Sequence, residues 1–214
     1  TYKDFEYIVI DGGSNDGSVD VIKEYADRID YWVSEPDKGI YNAMNKGIDV
    51  AKGEYCIFMN SGDRFFNNST IENSFNLFDN NDIIVGNTLL SNGRVKSANK
   101  KLTLKSLYET MLAHQSSFIR LSLLKKYHYD ESLKIVSDWK FFLQTIILDN
   151  CTYKSIDELV SVYDLNGFSA VNGDILYKEK KIVLLELVPE RIVIDIENEI
   201  NGSTWDDKLF IGLR

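Results

Sequence analysis

Three carboxylates stand at the ends of elements in this chain, each placed to meet a ligand. Asp63 closes Tyr55-Cys56-Ile57-Phe58-Met59-Asn60-Ser61-Gly62-Asp63, where five residues suited to a buried strand stop abruptly in four small or polar ones. In an open α/β sheet ligands gather at the carboxyl ends of strands, because the loops converge there while the sheet stays rigid. Asp63 is therefore placed to hold a ligand or a metal ion, although Asn-Ser-Gly-Asp is also good turn chemistry in its own right. Asp11 ends a second apolar run, Phe5 to Ile10, ahead of Gly12-Gly13-Ser14-Asn15-Asp16-Gly17. It can accept hydrogen bonds from a nucleoside, and the glycines let the backbone approach a bound group. A tight strand-to-helix turn would use the same residues, and their spacing is not the dinucleotide-binding Gly-x-Gly-x-x-Gly. Asp138, in Val136-Ser137-Asp138-Trp139, opens a helical pattern with Phe141, Phe142, Thr145 and Ile146 on one face. A simple N-terminal cap would account for it as well.

The elements that position these residues follow from periodicity. Strand Phe5–Ile10 leads to a helix with Val19, Ile22, Ala26 and Ile29 on its apolar face, capped by Ser14 or Asp16. Strand Tyr31–Ser34, a loop carrying Lys38, and a helix from Ile40 to Ala51 closed by Gly53 come next, then strand Tyr55–Met59. Strand, helix, strand, helix, strand is the rhythm of a parallel sheet with helices on its faces, and it brings Asp11, Asp37 and Asp63 to one edge. A helix from Ser69 or Thr70 to about Phe78 precedes strand Asp82–Leu90. Ser91-Asn92-Gly93 is a hairpin signal, so the sheet is expected to finish in an antiparallel extension. Leu102–Met111 is read as a helix and His114–Ile119 as a strand. Beyond the helix of Asp138, Tyr153–Ile156 and Leu159–Tyr163 read as two short strands. Asn172–Leu187 reads as a helix ended by Val188-Pro189, with Lys178, Lys180 and Lys181 on a solvated face. The expected organisation is an α/β domain over 1–165 and a small helical or extended segment over 166–214.

Composition excludes several classes. A net charge of -9 and an isoelectric point near 4.8 argue against general nucleic-acid binding, which needs cations to neutralise phosphates. A phosphorylated ligand is still compatible if a divalent cation supplies the positive charge locally. Cys56 and Cys151, far apart, make neither a disulfide framework nor a zinc signature. No apolar run approaches the ~20 residues that span a bilayer, and Thr1 to Glu6 is not a signal peptide. The expected location is cytoplasmic.

Taken in order, these residues resemble a known family. Phe5-Glu6-Tyr7-Ile8-Val9-Ile10-Asp11-Gly12-Gly13-Ser14 with Asp16-Gly17, then Asp37-Lys38-Gly39-Ile40-Tyr41-Asn42-Ala43-Met44-Asn45-Lys46-Gly47, then Ala51 and Gly53-Glu54-Tyr55, followed by His114-Gln115 and Ser137-Asp138-Trp139, are similar to family 2 glycosyltransferases of the GT-A fold. The likeness runs over roughly residues 1 to 145. It implies a Rossmann-like, mostly parallel central sheet with helices on both faces. It also implies a strand and a helix ahead of Thr1, which are expected to be missing from this chain.

The function implied is inverting transfer of a sugar from a nucleotide sugar, most often a UDP-sugar, to a hydroxyl of a glycan or lipid-linked acceptor in bacterial surface-polysaccharide assembly. By resemblance Asp11 contacts the nucleoside, although many members carry a second Asp where this chain has Gly12. Asn60 and Gly62 stand at the two positions of the family's Asp-x-Asp motif, and only the next residue, Asp63, keeps a carboxylate. Asn60 and Asp63 are thus donor-side candidates, with Asp63 as ligand to Mg²⁺ or Mn²⁺, which can complete its shell with diphosphate oxygens and water. Lys38 can face the diphosphate or simply lie exposed. His114, Gln115 and Trp139 fall on the acceptor side, where a lone histidine is often merely structural. Asp138 matches the catalytic base, which takes the acceptor hydroxyl's proton as the oxygen attacks the anomeric carbon; Ser137 replaces the Glu of the usual Glu-Asp pair. The altered Asp-x-Asp motif and the absent first strand also admit a non-catalytic nucleotide-sugar-binding or assembly module, against which the retained Asp138 speaks. A lipid-linked acceptor would bring peripheral contact with the inner face of the membrane, and an oligomer is compatible.

Overall fold

The computed structural model describes residues 1–165 and 172–201. Ile8–Asp11 (β1) and Tyr31–Ser34 (β2) pair in parallel, from Ile8 opposite Tyr31 to Asp11 opposite Ser34. Helix α1 (Ser18–Glu24) connects them; its N-cap is Gly17, at φ 96° and without a side-chain cap, rather than the expected Ser14 or Asp16, and Asp16 Oδ1 accepts from the Ser18 N–H at 3.0 Å and from its hydroxyl at 2.7 Å just ahead of the helix. Val19, Ile22, Ala26 and Ile29 are all half-buried, but the helix expected to carry them ends at Glu24: Ala26 falls in a 3-10 turn (Ala26–Arg28) and Ile29 is extended, and no residue of α1 is fully buried. Helix α2 (Ile40–Val50) turns Tyr41, Met44, Asn45 and Ile48 inward, an i, i+3, i+4, i+7 stripe. Asn45 is fully used there: its amide donates to Tyr129 O and Glu131 Oε1, and its oxygen accepts from Tyr129 N, all at 2.9 Å. A buried amide without such partners would cost more than it contributes.

A second sheet is built from Tyr55–Cys56 (β3), Arg64–Phe65 (β4), Ile83–Leu90 (β5), Val95–Lys96 (β6), Ser117–Arg120 (β7) and Tyr153–Tyr163 (β8), in the order β3-β7-β5-β8-β4 with β6 on β5. The α/β class stands, but parallel pairing is confined to β1/β2 and β5/β8. The antiparallel part, expected as an extension, makes up most of this sheet. The cause is local: the chain reverses at Ser91-Asn92-Gly93, where Gly93 takes φ +84°, and later strands return beside it. The strand expected over Tyr55–Met59 pairs only at Tyr55 and Cys56, because Phe58 turns out of the ladder to pack edge-on against Tyr129, 5.7 Å between ring centres. The two strands expected after Tyr153 are one, with its irregularity opposite Gly86. A side chain at Gly86 would overlap Val160, so the close approach of the two strands requires glycine.

Both faces of β5 are covered, as period-2 alternation requires. Ile83 and Val85 enter the main core with Ile48, Ile119, Leu124, Trp139 and Phe142. Ile84 joins Phe118, Ile156 and Val160 on the other face, which Phe78 closes at 5.0 Å from the Phe118 ring. Each such aliphatic side chain contributes about 1.5–3 kcal/mol by burial. Between the sheet and solvent lie Thr70–Phe75 (α3), Leu104–Glu109 (α4), Leu121–Tyr127 (α5) and Ser137–Phe142 (α6), the last continuing as a π-helical turn over Leu143–Leu148. Helices α7 (Gly173–Leu187) and α8 (Glu190–Asn201) pack on the same core through Val183, Leu184, Val188 and Val193. Of the apolar run Ile192–Ile196 in α8, Val193 and Ile196 are buried and Ile192 is exposed. Residues 166–171 and 202–214 of the C-terminal segment lie outside the described residues. Among the described residues no helix is long and apolar enough to cross a membrane.

Candidate active site

The loop after β3 is a four-residue turn closed by Asp63 N–H donating to Asn60 O at 2.9 Å. Gly62, third in that turn, has φ +93°, a conformation that a side chain disfavours, so the turn favours glycine there. The turn aims Asp63 toward Asp164, whose side chain lies against Gly62. Desolvation by burial pushes the Asp63 carboxyl above its ordinary value, with the charge of Asp164 adding to the rise and His114 and backbone hydrogen bonds opposing it. Asp164 follows β8 and carries no sequence signal of its own; it reaches the site only because β8 pairs with β4.

A second loop leads to Asp138. His114 opens a 3-10 turn (His114–Ser116) ahead of β7 and bridges two candidates: Nε2 lies 2.8 Å from Asn60 Nδ2, and Nδ1 lies 2.9 Å from Asp138 Oδ2. With Asn60 donating through its amide, Nε2 accepts, the proton sits on Nδ1, and Nδ1–H donates to Asp138. Asp138 lies in the first turn of α6. Its Oδ1 accepts from Trp139 N–H at 2.9 Å and lies 3.1 Å from the Tyr41 hydroxyl, which also meets Ile135 O at 2.6 Å. Of the four acceptor directions of a carboxylate, the Trp139 and His114 donors occupy two, the Tyr41 hydroxyl, whose single proton lies nearer Ile135 O, faces a third, and one is left on Oδ2. Only 6% of the Asp138 side chain and 19% of that of His114 are exposed, so an incoming hydroxyl must approach from the histidine side. Gln115 is buried in the same 3-10 turn. Trp139 is fully buried, its indole N–H donating to Leu107 O at 2.6 Å.

Asp11 and Lys38 sit apart from this group, and among the described residues no hydrogen bond or ion pair joins them to it. Asp11 Oδ2 accepts from Gly13 N, Ser14 N and Ser34 Oγ at 3.1, 3.0 and 2.6 Å. Hydrogen bonds from the Ser14 and Ser34 hydroxyls and from these backbone groups hold its carboxyl down to about 2. Gly12 abuts the Asp37 carboxylate, which a β-carbon at position 12 would overlap. Asp37 thus puts a second carboxylate beside Asp11 from a neighbouring loop, fixed by accepting from Gly39 N at 2.9 Å. Lys38 is exposed, and its charge helps lower the carboxyl of Glu131 after the larger hydrogen-bond effect of Asn45.

Two lysines near Asp138 lie outside every motif of the sequence. Lys96 Nζ donates to Met111 O at 2.5 Å and Lys180 Nζ to Tyr108 O at 2.9 Å, the latter 4.9 Å from the centre of the Trp139 ring. Desolvation lowers both ammonium groups, and the charge of Asp138 opposes that in each. Lys180 thus departs from the solvated face expected of its helix, on which Lys178 and Lys181 do lie exposed. The signal was faint: Lys180 is three residues from Val183 and four from Leu184, on the edge of the buried stripe.

The mixed α/β fold is shared with GT-A glycosyltransferases of known structure. The family model described as glycosyl transferase family 2 matches residues 1–137. The chain belongs to glycosyl transferase family 2. Over 203 residues it is 23% identical to a PGL/p-HBAD biosynthesis glycosyltransferase of Mycobacterium bovis, covering 91% of this chain and 78% of that protein. Over 188 residues it is 31% identical to an uncharacterized glycosyltransferase of Mycobacterium tuberculosis, covering 79% and 70%. Among solved structures, S. aureus TarS 1-349 in complex with UDP superposes with a TM-score of 0.68 at 18% identity, over 99% of this chain and 68% of that one. The same protein in complex with UDP-GlcNAc gives 0.62 at 20% identity, over 76% and 51%. Against S. aureus TarS 1-349 without a named ligand the match covers 87% of this chain but spans only 58% of that protein's length.

Proposed function

We propose that this chain transfers a sugar, with inversion, from a UDP-sugar to a hydroxyl of a glycan or lipid-linked acceptor in surface-polysaccharide synthesis. The observation that carries the reading is the Asn60–His114–Asp138 chain of contacts, which ties a donor-side loop to a fixed carboxylate with one acceptor direction left. The acceptor O–H gives its proton to Asp138 Oδ2 while its oxygen bonds to the anomeric carbon, and the bond from that carbon to the diphosphate oxygen breaks on the opposite face. One such displacement inverts the centre. A binding module would have no use for a carboxylate held by Tyr41, His114 and the Trp139 amide. The UDP assignment draws on TarS, which is seen with UDP and UDP-GlcNAc.

A divalent cation fits the donor side. Among the described residues no three His, Cys, Asp or Glu side chains converge as a metal cluster. Asp63 and Asp164 nonetheless offer two neighbouring carboxylates, hard oxygen donors of the kind Mg²⁺ and Mn²⁺ take. When bound, the ion would offset negative charge on the leaving diphosphate. Asp11 and Asp37 would receive the nucleoside, and Lys38 lies exposed for the diphosphate. On α7 the exposed Tyr177, Ile182 and Leu185 beside Lys178 and Lys181 suit peripheral contact with an anionic membrane bearing the acceptor.

Calorimetric titration of UDP with and without Mn²⁺, on the unaltered chain and on Asp63→Ala, tests the donor side. The reading expects Mn²⁺-dependent binding that the substitution abolishes; Mn²⁺-dependent binding of equal strength in both would remove Asp63 from the site.

A further inference from the structure

Helix α7 lies beyond the part of the chain that the family model covers, yet it touches the base from both sides in sequence. Glu179 is buried, and its carboxylate accepts from three consecutive backbone N–H groups: Lys134 at 2.7 Å, Ile135 at 2.9 Å and Val136 at 3.3 Å. These are the residues that lead into Ser137-Asp138. A buried carboxylate is costly unless hydrogen-bonded, and here three donors satisfy it while fixing the turn they belong to. Ile135 is held at both ends of its backbone, since its carbonyl receives the Tyr41 hydroxyl that also reaches Asp138. One residue along, Lys180 lies over the face of Trp139, the residue that follows the base. Two turns further, Glu186 binds Lys140 at 2.7 and 2.8 Å. The three contacts grip residues 134–136, 139 and 140, and leave Ser137 and Asp138 suspended between them.

We propose that α7 is a positioning element of the active site, in which Glu179 is the positioning residue that sets the turn entering Asp138 and Lys180 seats the far side of that turn on Trp139. The inference rests on Asp138 being the base. A carboxylate that attracts a proton in the transition state must be held to a fraction of an ångström, and a displacement of about 1 Å can cost a hundredfold in rate. Glu179 touches no reacting atom; its effect reaches the reaction through Ile135, Tyr41 and Asp138.

The test uses the full chain with Glu179→Gln, Glu179→Asp and Asp138→Asn. UDP release is followed with those of UDP-GlcNAc, UDP-glucose, UDP-galactose and UDP-GalNAc that the unaltered chain turns over, alongside calorimetric UDP binding in Mn²⁺. Glutamine puts an N–H group against backbone donors, so Glu179→Gln is expected to lower kcat about tenfold or more, with donor KM, UDP affinity and binding stoichiometry unchanged. Glu179→Asp restores part of the rate. Unchanged kcat in Glu179→Gln, or kcat and UDP affinity falling together, overturns the positioning role. Full turnover by Asp138→Asn overturns the base assignment instead, and the proposal with it. Should Glu179→Gln fail to fold, Lys180→Met carries the test: a lower kcat at unchanged UDP affinity supports the positioning role, and an unchanged kcat overturns it.

Discussion

The two ends of the site are held in opposite ways. At the nucleoside end, Asp11 is fixed by its own loop, with Gly13 and Ser14 two and three residues away and Ser34 on the adjacent strand. At the base end, Asp138 is fixed from across the molecule, by His114 24 residues away and Tyr41 97 residues away, with Glu179 holding the turn before it. The first arrangement is a piece of turn chemistry that survives wherever the β1 turn and β2 form. The second exists only when α2, the His114 turn, α6 and α7 are all packed together. On the proposed reading, binding at one end is robust to distant change, whereas chemistry at the other depends on the whole core.

That contrast can be broken or sharpened by substitution. The largest of these effects is expected at His114, which joins the ends. Replacing it with Ala removes a hydrogen bond to a carboxylate, about 1.5–3 kcal/mol, or roughly 10- to 100-fold in the rate of UDP release, with UDP affinity nearly unchanged. A parallel loss of UDP affinity would show that the histidine serves the donor instead. Gly12→Ala comes next: its methyl group must displace the Asp37 carboxylate, and overpacking of this kind costs about 1–3 kcal/mol, read as a lower urea midpoint together with weaker UDP binding. A midpoint and affinity like those of the unaltered chain would mean that Asp37 moves freely. The smallest effect is a pH dependence. The Asp11 carboxyl sits near 2 when folded against an ordinary 3.8, so its stabilisation is complete above about 3.8 and fades as pH falls toward 2. Asp11→Asn should therefore be less stable than the unaltered chain at pH 5, and the gap should close on acidification; a gap that stays constant would contradict the hydrogen-bonded carboxylate.

The same contrast explains what could be read before the structure. The strand and turn around Asp11, the helix from Ile40, the hairpin at Asn92-Gly93 and the helix start at Asp138 are all short-range patterns, and all are present, though the first strand forms over Ile8–Asp11 rather than Phe5–Ile10 and the buried face of α2 is Tyr41, Met44, Asn45 and Ile48 with Ile40 exposed. What escaped was set by pairing between distant segments. Strand β3 stops at Cys56 because Phe58 finds Tyr129, and β8 runs on as one strand because β5 continues beside it. Most of the larger sheet is antiparallel because the chain reverses at Gly93, after the parallel rhythm of the first 60 or so residues has ended. At the site, Asp11, Asn60, Asp63, His114 and Asp138 could be named from local patterns and resemblance. Asp164, Lys96, Glu179 and Lys180 could not, since each lies in an ordinary strand end or helix and becomes relevant only through tertiary contact. Asp37 was legible as a loop carboxylate, but its place against Gly12 was not.

The central claim is that Asp138 performs the chemistry and leaves donor binding to others. The most direct measurement is steady-state UDP release by Asp138→Asn, paired with UDP titration of the same protein. A general base typically contributes about 10²- to 10⁴-fold, so the expected result is a loss of that size in kcat with UDP bound as tightly as before. Undiminished turnover in Asp138→Asn would contradict the assignment of the base and the mechanism built on it.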